Sequence, residues 1–390
     1  MAVFMAGHYN DTLVTVIAIF WALAALALAP WLVEPLGQLV TGWRRRSIAS
    51  SAPDGPRPRL SVIVAALDEA GTIEPAMRTL LALDYPDLEV IAVDDRSTDA
   101  TGAILDRIAD PRLKVVHVRE LPSGWLGKNH AMHVGAAQAT GEWLLFTDAD
   151  VHFERDALRR AVAFAESRSL DHLALLPQLA SGGWAESVMV GLFGVAFMLH
   201  LQPWRRGSWV GVGAFNLVRA PAYRRAGGHA ALPMDVVDDV KLGKKLVETG
   251  ATRDLADGAG FVRVRWVVGV GGIVRGLTKN MFAAMKFRWW MPFVASAAVL
   301  GMTVWPVAGV WVGPLGARVL CGVSIVAMAL HGFRDRRMTN GPALQGLGYP
   351  LAALVFAYIM FRSMIATYAQ GGVRWRGTLY PLEELKRNVT

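Results

Sequence analysis

The sequence predicts an α/β protein, a mainly parallel sheet flanked by helices and joined to transmembrane helices at its N- and C-terminal ends. Three observations carry that prediction. Uncharged apolar stretches lie near the start and in the final third of the chain. Between them, from Leu60 to about Arg265, short β-rich runs alternate with segments of helical spacing. The composition fits neither extreme: 53% of residues are hydrophobic, yet the formal net charge is +8 and the mean hydropathy +0.33. That is too apolar for an ordinary soluble protein and too charged for one embedded throughout.

The elements follow in order. LVTVIAIFWALAALALAPWLV, Leu13 to Val33, carries no charge and is long enough to cross the hydrocarbon core. No basic segment precedes it and no small-residue cleavage site follows, so residues 1–42 read as a retained anchor. Arg44, Arg45 and Arg46 come next and place that side in the cytoplasm by the positive-inside rule. Residues 43–59 read as a basic, Pro/Ser-rich linker. In the region 60–265, LSVIVAAL, LEVIAVDD, LKVVHV and EWLLFTD read as strands. Helical spacing of Ile73, Met77, Leu80 and Leu81 fills the first gap, and KNHAMHVGAAQAT is a helix before the fourth strand. Such alternation makes a parallel sheet, whose ligands bind beyond the carboxyl ends of its strands.

Trp184 to Trp204 is apolar but contains Glu186 and His200, and reads as an interfacial or domain-packing helix. Residues 266–290 form an expected interfacial region and 291–370 the C-terminal transmembrane helices, with apolar runs at Met291–Val312, Leu315–Phe333 and Ala343–Phe361. Counting crossings from these runs puts the tail, 371–390, outside. The single cysteine, Cys321, excludes an intramolecular disulfide and a cysteine metal cage. Beside apolar spans, the basic balance points to anionic lipid as partner and not to nucleic acid.

Chemistry gathers at the strand ends. TDAD places Asp148 and Asp150 one residue apart after a buried strand, a spacing that suits a hard cation such as Mg²⁺ or Mn²⁺ completed by water and phosphate. A solvated turn is the plainer account of the same four residues. Asp94 and Asp95, with Ser97 and Asp99, also suit a turn and cap before TGAILDRIA. His130 and His133 lack a third ligand at zinc-site spacing and are assigned to helix packing. The glycines between Gly269 and Gly276 lack the strand-turn-helix context of a dinucleotide site.

Taken together, SVIVAALDEAGTIEPAMRTLLALDYPDLEVIAVDDRSTDATGAIL and GWLGKNHAMHVGAAQATGEWLLFTDADVHF resemble the start of the family 2 glycosyltransferases. NLVRAPAYRRAGGHAALPMDVVDDVKLGKKLVETG resembles their acceptor-side region. The resemblance implies a GT-A nucleotide-diphospho-sugar transferase fold over about 60–265, and roles for particular residues. Asp68, Glu69, Asp94 and Asp95 would hold the nucleoside, Lys128 would lie near the phosphates, and Asp148 and Asp150 would reach metal and diphosphate. Asp239, preceded by Asp238, matches the catalytic base. His229, Arg288 and Trp289 are candidates for acceptor or phosphate contacts. MKFRWW keeps Arg288 and Trp289 of the (Gln/Arg)-x-x-Arg-Trp motif of membrane-bound relatives but has Met285 at its first position.

The implied activity is inverting, metal-dependent transfer from a nucleotide-sugar, UDP-linked by family expectation, to a membrane lipid. The enzyme would be multi-pass in the cell membrane with its catalytic domain in the cytoplasm. A processive polysaccharide synthase is the alternative within the family; a non-catalytic membrane scaffold retaining the fold is the alternative outside it.

Overall fold

A computed structural model describes residues 2–52, 54–265, 268–375 and 378–387. The chain forms two compact units. One is α/β and comprises Arg44–Ala180, Arg205–Val267 and Ala366–Thr390; the other is helical and comprises Met1–Trp43, Ser181–Trp204 and Val268–Ile365.

The α/β unit contains β1 (Leu60–Ala66), β2 (Leu88–Asp95), β3 (Leu113–Val118), β4 (Trp143–Asp148), β5 (Val151–Phe153), β6 (His172–Leu176), β7 (Gln178–Leu179), β8 (Asn216–Arg219), β9 (Arg253–Asp257), β10 (Val262–Val264), β11 (Gly372–Trp375) and β12 (Thr378–Pro381). A sheet of seven runs in the order β3-β2-β1-β4-β8-β6-β9. The first four strands are mutually parallel, and β8 lies antiparallel to both β4 and β6. Strands covered on both faces need continuous apolar sequence, which LSVIVAA and WLLF supply. The helix Ile73–Leu81 covers one face with Ile73, Ala76, Met77 and Leu80, and these join the main core with Val62, Val64 and Leu145.

After β3 the chain returns to the other side of β1 to form β4, so the strand order reverses between those two. A reversal of this kind opens a crevice at the carboxyl edge. Ala66 pairs with Asp94 on one side and Ala65 with Asp148 on the other, which fixes both aspartates at that edge.

Residues 43–59 are not a loose linker. Ile48 is fully buried, Ser47 bridges to Asp257, and the Asp257 N–H donates to the Arg46 carbonyl at 2.7 Å. Arg160 donates to the carbonyls of Ala49 and Ser51, which holds the segment on the domain. The tail is also part of the α/β unit, as a β11–β12 hairpin and the helix Leu382–Arg387. Its side chains bond to the same unit that carries β1–β4.

Five helices of the helical unit are long and apolar enough to cross a membrane: Val14–Thr41, Trp184–Leu201, Met291–Gly309, Leu315–Thr339 and Gln345–Ala369, counting the short turn before the last. The Trp31 indole donates to the Met302 carbonyl at 3.0 Å, and Arg334 pairs with the buried Glu34 at 2.7 Å. Many of their large apolar side chains are exposed, Leu39 and Leu315 among them, as lipid-facing surfaces are. The glycine-rich segment opens the helix Gly269–Ala284 and forms no dinucleotide loop. Trp266 and Val267, the first residues of the expected interfacial region, lie outside the described residues.

Candidate active site

At the carboxyl edge, β4 ends on Asp148 and the helix Gly127–Gln138 brings Lys128 to it, Nζ to Oδ1 2.9 Å. Lys128 also approaches Asp238 at 3.4 Å. Burial alone would lower its ammonium, but the charges of Asp148, Asp238 and Asp239 outweigh that and hold it well above the lysine range. Asp238 and Asp239 open the helix Asp238–Glu248, where carboxylates meet the unpaired N–H groups of a first turn. Asp239 spends one oxygen, Oδ1, on the Val240 N–H at 2.8 Å.

Its other oxygen faces Gly213. A Cβ built on Gly213 would stand 3.5 Å from Asp239 Oδ2 and 2.9 Å from Asp148 Oδ2. The two carboxylates, distant in sequence, thus border one small space that a glycine keeps open. Beneath it Gly211 and Gly243 allow the helix Asp238–Glu248 to lie directly on the backbone of residues 210–211. Asn216 donates to the Asp239 carbonyl at 3.3 Å, and its side-chain oxygen bonds the buried His172 at 2.5 Å.

Asp150 is in a different electrostatic condition. Burial, then the negative charges of Asp148 and Glu69, push its carboxyl up to about 7. Asp238 is pushed up to about 6, chiefly by burial, with Lys128 opposing. Carboxyls crowded enough to resist ionisation fit a bound cation, which would relieve the repulsion. Among the described residues no group of three or more His, Cys, Asp or Glu side chains has metal-binding geometry. A cation here would draw its remaining ligands from water and phosphate, as Mg²⁺ and Mn²⁺ commonly do.

On the opposite flank of β1, Asp95 is 2% exposed and its carboxylate is forked by Arg96 at 2.8 and 2.9 Å. Asp94 accepts from the Ser97 N–H at 3.3 Å and pairs with His117 at 2.9 Å. Asp68, at φ 52, accepts from the Thr98 N–H at 2.7 Å, while the Glu69 N–H donates to the Thr101 hydroxyl at 2.7 Å. These bonds brace the loop after β1 against the loop after β2. Asp99 caps the following turn through the Thr101 N–H at 2.9 Å.

A profile described as "Glycosyl transferase family 2" matches residues 61–226. The chain carries a family 2 glycosyltransferase domain. Over 164 residues it is 35% identical to a beta-monoglucosyldiacylglycerol synthase of Synechocystis sp., a match covering 41% of this chain and 32% of that protein. The matched segment thus spans about a third of that relative's length. A 4,4'-diaponeurosporenoate glycosyltransferase of Staphylococcus aureus is 22% identical over 356 residues, 87% of this chain and 93% of its own. Among solved structures, a mannosyltransferase from Pyrobaculum calidifontis in complex with GDP-Man and Mn2+ superposes with TM-score 0.52 at 21% identity, covering 87% of this chain and 99% of that one. The glycosyltransferase domain has the GT-A fold.

Of the residues singled out from sequence, Lys128 pairs directly with Asp148 and Asp238, Asp239 borders the same space at Gly213 as Asp148, and Asp150 and Glu69 act on each other's charge within the same edge. Asp68, Asp94 and Asp95 lie along that edge around the β1 and β2 ends. His229 is 1% exposed, bonded to the Tyr223 hydroxyl at 2.9 Å and packed on Phe146, and burial pushes its imidazole down to about 3. Its ring is enclosed by protein on these sides. Arg288 and Trp289 belong to the helical unit, in a tight turn where Lys286 and Phe287 adopt positive φ; Trp289 is exposed. His130 and His133 flank Trp125 at 5.5 and 5.2 Å. Sequence reading missed Gly213, Gly211, Asn216 and His172. Nothing local marks those glycines, and the strand that carries Asn216 is too short to show a period.

Proposed function

We propose that this chain is an inverting glycosyltransferase that moves a sugar from a nucleoside-diphospho-sugar to the hydroxyl of a membrane lipid. The observation that carries the reading is the convergence of Asp148 and Asp239 on Gly213, with Lys128 paired to Asp148 and Asp238. An acceptor hydroxyl has a pKa far above neutrality and needs a carboxylate to take its proton as it attacks the anomeric carbon. Asp239 is that base: one oxygen is anchored by Val240 and the other faces the open space. A single displacement from there inverts the anomeric centre.

Lys128 lies where a diphosphate would gather charge as it leaves, and its ammonium stays protonated for that purpose. Asp148 and Asp150 would hold Mg²⁺ or Mn²⁺. When bound, the metal would offset the negative charge on the departing diphosphate. Asp95, with Asp68, Glu69 and Asp94, lines the side of the crevice suited to the nucleoside, expected to be uridine. Arg288 and Trp289 remain candidates for the acceptor side.

A lipid acceptor follows from the apolar helices that hold the domain at a membrane, where headgroups are concentrated around the site. The basic run Arg44–Arg46 after the first helix assigns the catalytic unit to the cytoplasm. The test is incubation of purified protein with labelled UDP- and GDP-sugars and extracted membrane lipids, with and without Mn²⁺, followed by chain-length analysis. Metal-dependent addition of a single sugar to lipid is expected. Long polymer would favour a processive synthase, and no turnover of any donor would leave a scaffold.

A further inference from the structure

The tail brings an aromatic hydroxyl to the nucleoside side of the site. β11 and β12 pair Val373 with Tyr380, and the Leu382 N–H donates to the Gly371 carbonyl at 2.9 Å to close the hairpin. Val373, Tyr380, Leu382 and Leu385 are buried, so the hairpin is seated and not merely trailing. Tyr380 is 7% exposed, and its hydroxyl accepts from the Gly127 N–H at 3.3 Å. Gly127 in turn lies directly on the Asp95–Arg96 ion pair; a Cβ there would collide with Asp95 Oδ2 and Arg96 Nη2. Arg96 adopts φ 60, a left-handed conformation that a non-glycine residue keeps only when its surroundings impose it. The Asp95 bond is the largest influence holding the Arg96 guanidinium above its ordinary range.

We propose that Tyr380 is a positioning residue of the donor site. Its hydroxyl holds the Gly127 backbone, which lies on the Asp95–Arg96 ion pair, and so fixes the direction in which Asp95 presents its carboxylate to the nucleoside of a nucleoside diphosphate. This rests on the glycosyltransferase reading above, because that reading gives Asp95 a nucleoside to meet. The burial of Asp95 makes the clamp consequential. A carboxylate with almost no solvent access has few ways to recover its alignment once a neighbour is lost.

The experiment uses the full-length protein in detergent with Mn²⁺ and measures UDP and GDP binding by calorimetry. Tyr380→Phe removes one oxygen and keeps the buried ring. It is expected to weaken binding of the preferred nucleotide about fivefold to tenfold, the effect of losing one buried hydrogen bond. The donor KM should rise in proportion, with kcat at saturating donor and the acceptor KM unchanged. Leu379→Ala, an exposed neighbour on the same strand, should bind nucleotide like the wild type. Nucleotide affinity within twofold of wild type for Tyr380→Phe would overturn the assignment and leave the glycosyltransferase reading standing. A fall in affinity accompanied by a lower melting temperature and a lower kcat would also overturn it, in favour of a structural role. Failure of the wild type to bind either nucleotide removes the donor site and both proposals with it.

Discussion

Asp148 and Asp239 each turn one oxygen toward Gly213, so a single methyl group is a sharp probe of the site. Gly213→Ala would bring a Cβ to 2.9 Å from Asp148 Oδ2, and transfer is expected to fall at least tenfold while the melting temperature moves by only about 2 °C. Asp239→Asn should retain donor affinity but lose about a thousandfold in transfer rate. Normal turnover by that variant would remove Asp239 as the base. His172 gives a pH test. Burial pushes it down to about 4 despite the Asn216 bond. The unfolded chain takes up that proton near pH 6.5, so it binds more protons than the native state between about 6.5 and 4, and native stability falls as pH drops through that window. The wild-type advantage in melting temperature over His172→Gln should therefore be smaller at pH 5 than at pH 7.5. A gap that does not change with pH would contradict this. Carboxylates such as Asp95 and Asp148 were legible in sequence because they end apolar strands. His172 sits inside one, and its pairing with Asn216 exists only once β6 and β8 lie together.

Elements raise a question of parity. β6 precedes Trp184–Leu201 and β8 follows it, and the two pair in the seven-stranded sheet, so the chain on both sides of that helix belongs to one sheet. A single helix between them cannot cross the bilayer once and return, however apolar it is. Likewise Tyr380 bonds Gly127, so an even number of crossings separates β10 from β12. We propose Met291–Gly309 and Leu315–Thr339 as the crossing pair, which would leave the last apolar helix, Gln345–Ala369, along the membrane. Cysteines introduced as Val312→Cys and Lys386→Cys should react with an impermeant maleimide from opposite faces, against the buried Cys321. Labelling of both from one face would refute the arrangement. Within the helical unit, Arg334→Met strands the buried Glu34 and should destabilise by about 2–4 kcal/mol, read as a lower melting temperature. Parallel strands β1, β2 and β4 could be read directly because burial on both faces writes long apolar runs. The short antiparallel strands β6 and β8 could not, and hydropathy alone does not tell a crossing helix from one lying flat.

At the scale of the molecule, charge balance underlies the proposed metal requirement. Asp148, Asp150, Asp238 and Asp239 crowd around Lys128, and a diphosphate adds further negative charge. Chelation with EDTA should abolish transfer, and Mn²⁺ or Mg²⁺ should restore it; activity undiminished in EDTA would exclude the metal role given to Asp148 and Asp150. The division into units was only partly legible. Sequence periodicity marked where the sheet begins, but not that residues 44–59 and the tail return to it, because both are held by isolated anchors such as Ile48 and Tyr380 and not by a repeating pattern.

The α/β unit is also discontinuous: the chain leaves it at Ser181 and again at Val268, and rejoins it at Ala366. On the ribosome, β1–β4 emerge long before β8 and β9, and the hairpin bearing Tyr380 follows every lipid-facing helix. The crevice proposed to take the nucleotide would therefore be finished last, after every helix apolar enough to cross a membrane has been made, and a nascent chain interrupted earlier would lack the hairpin that braces it.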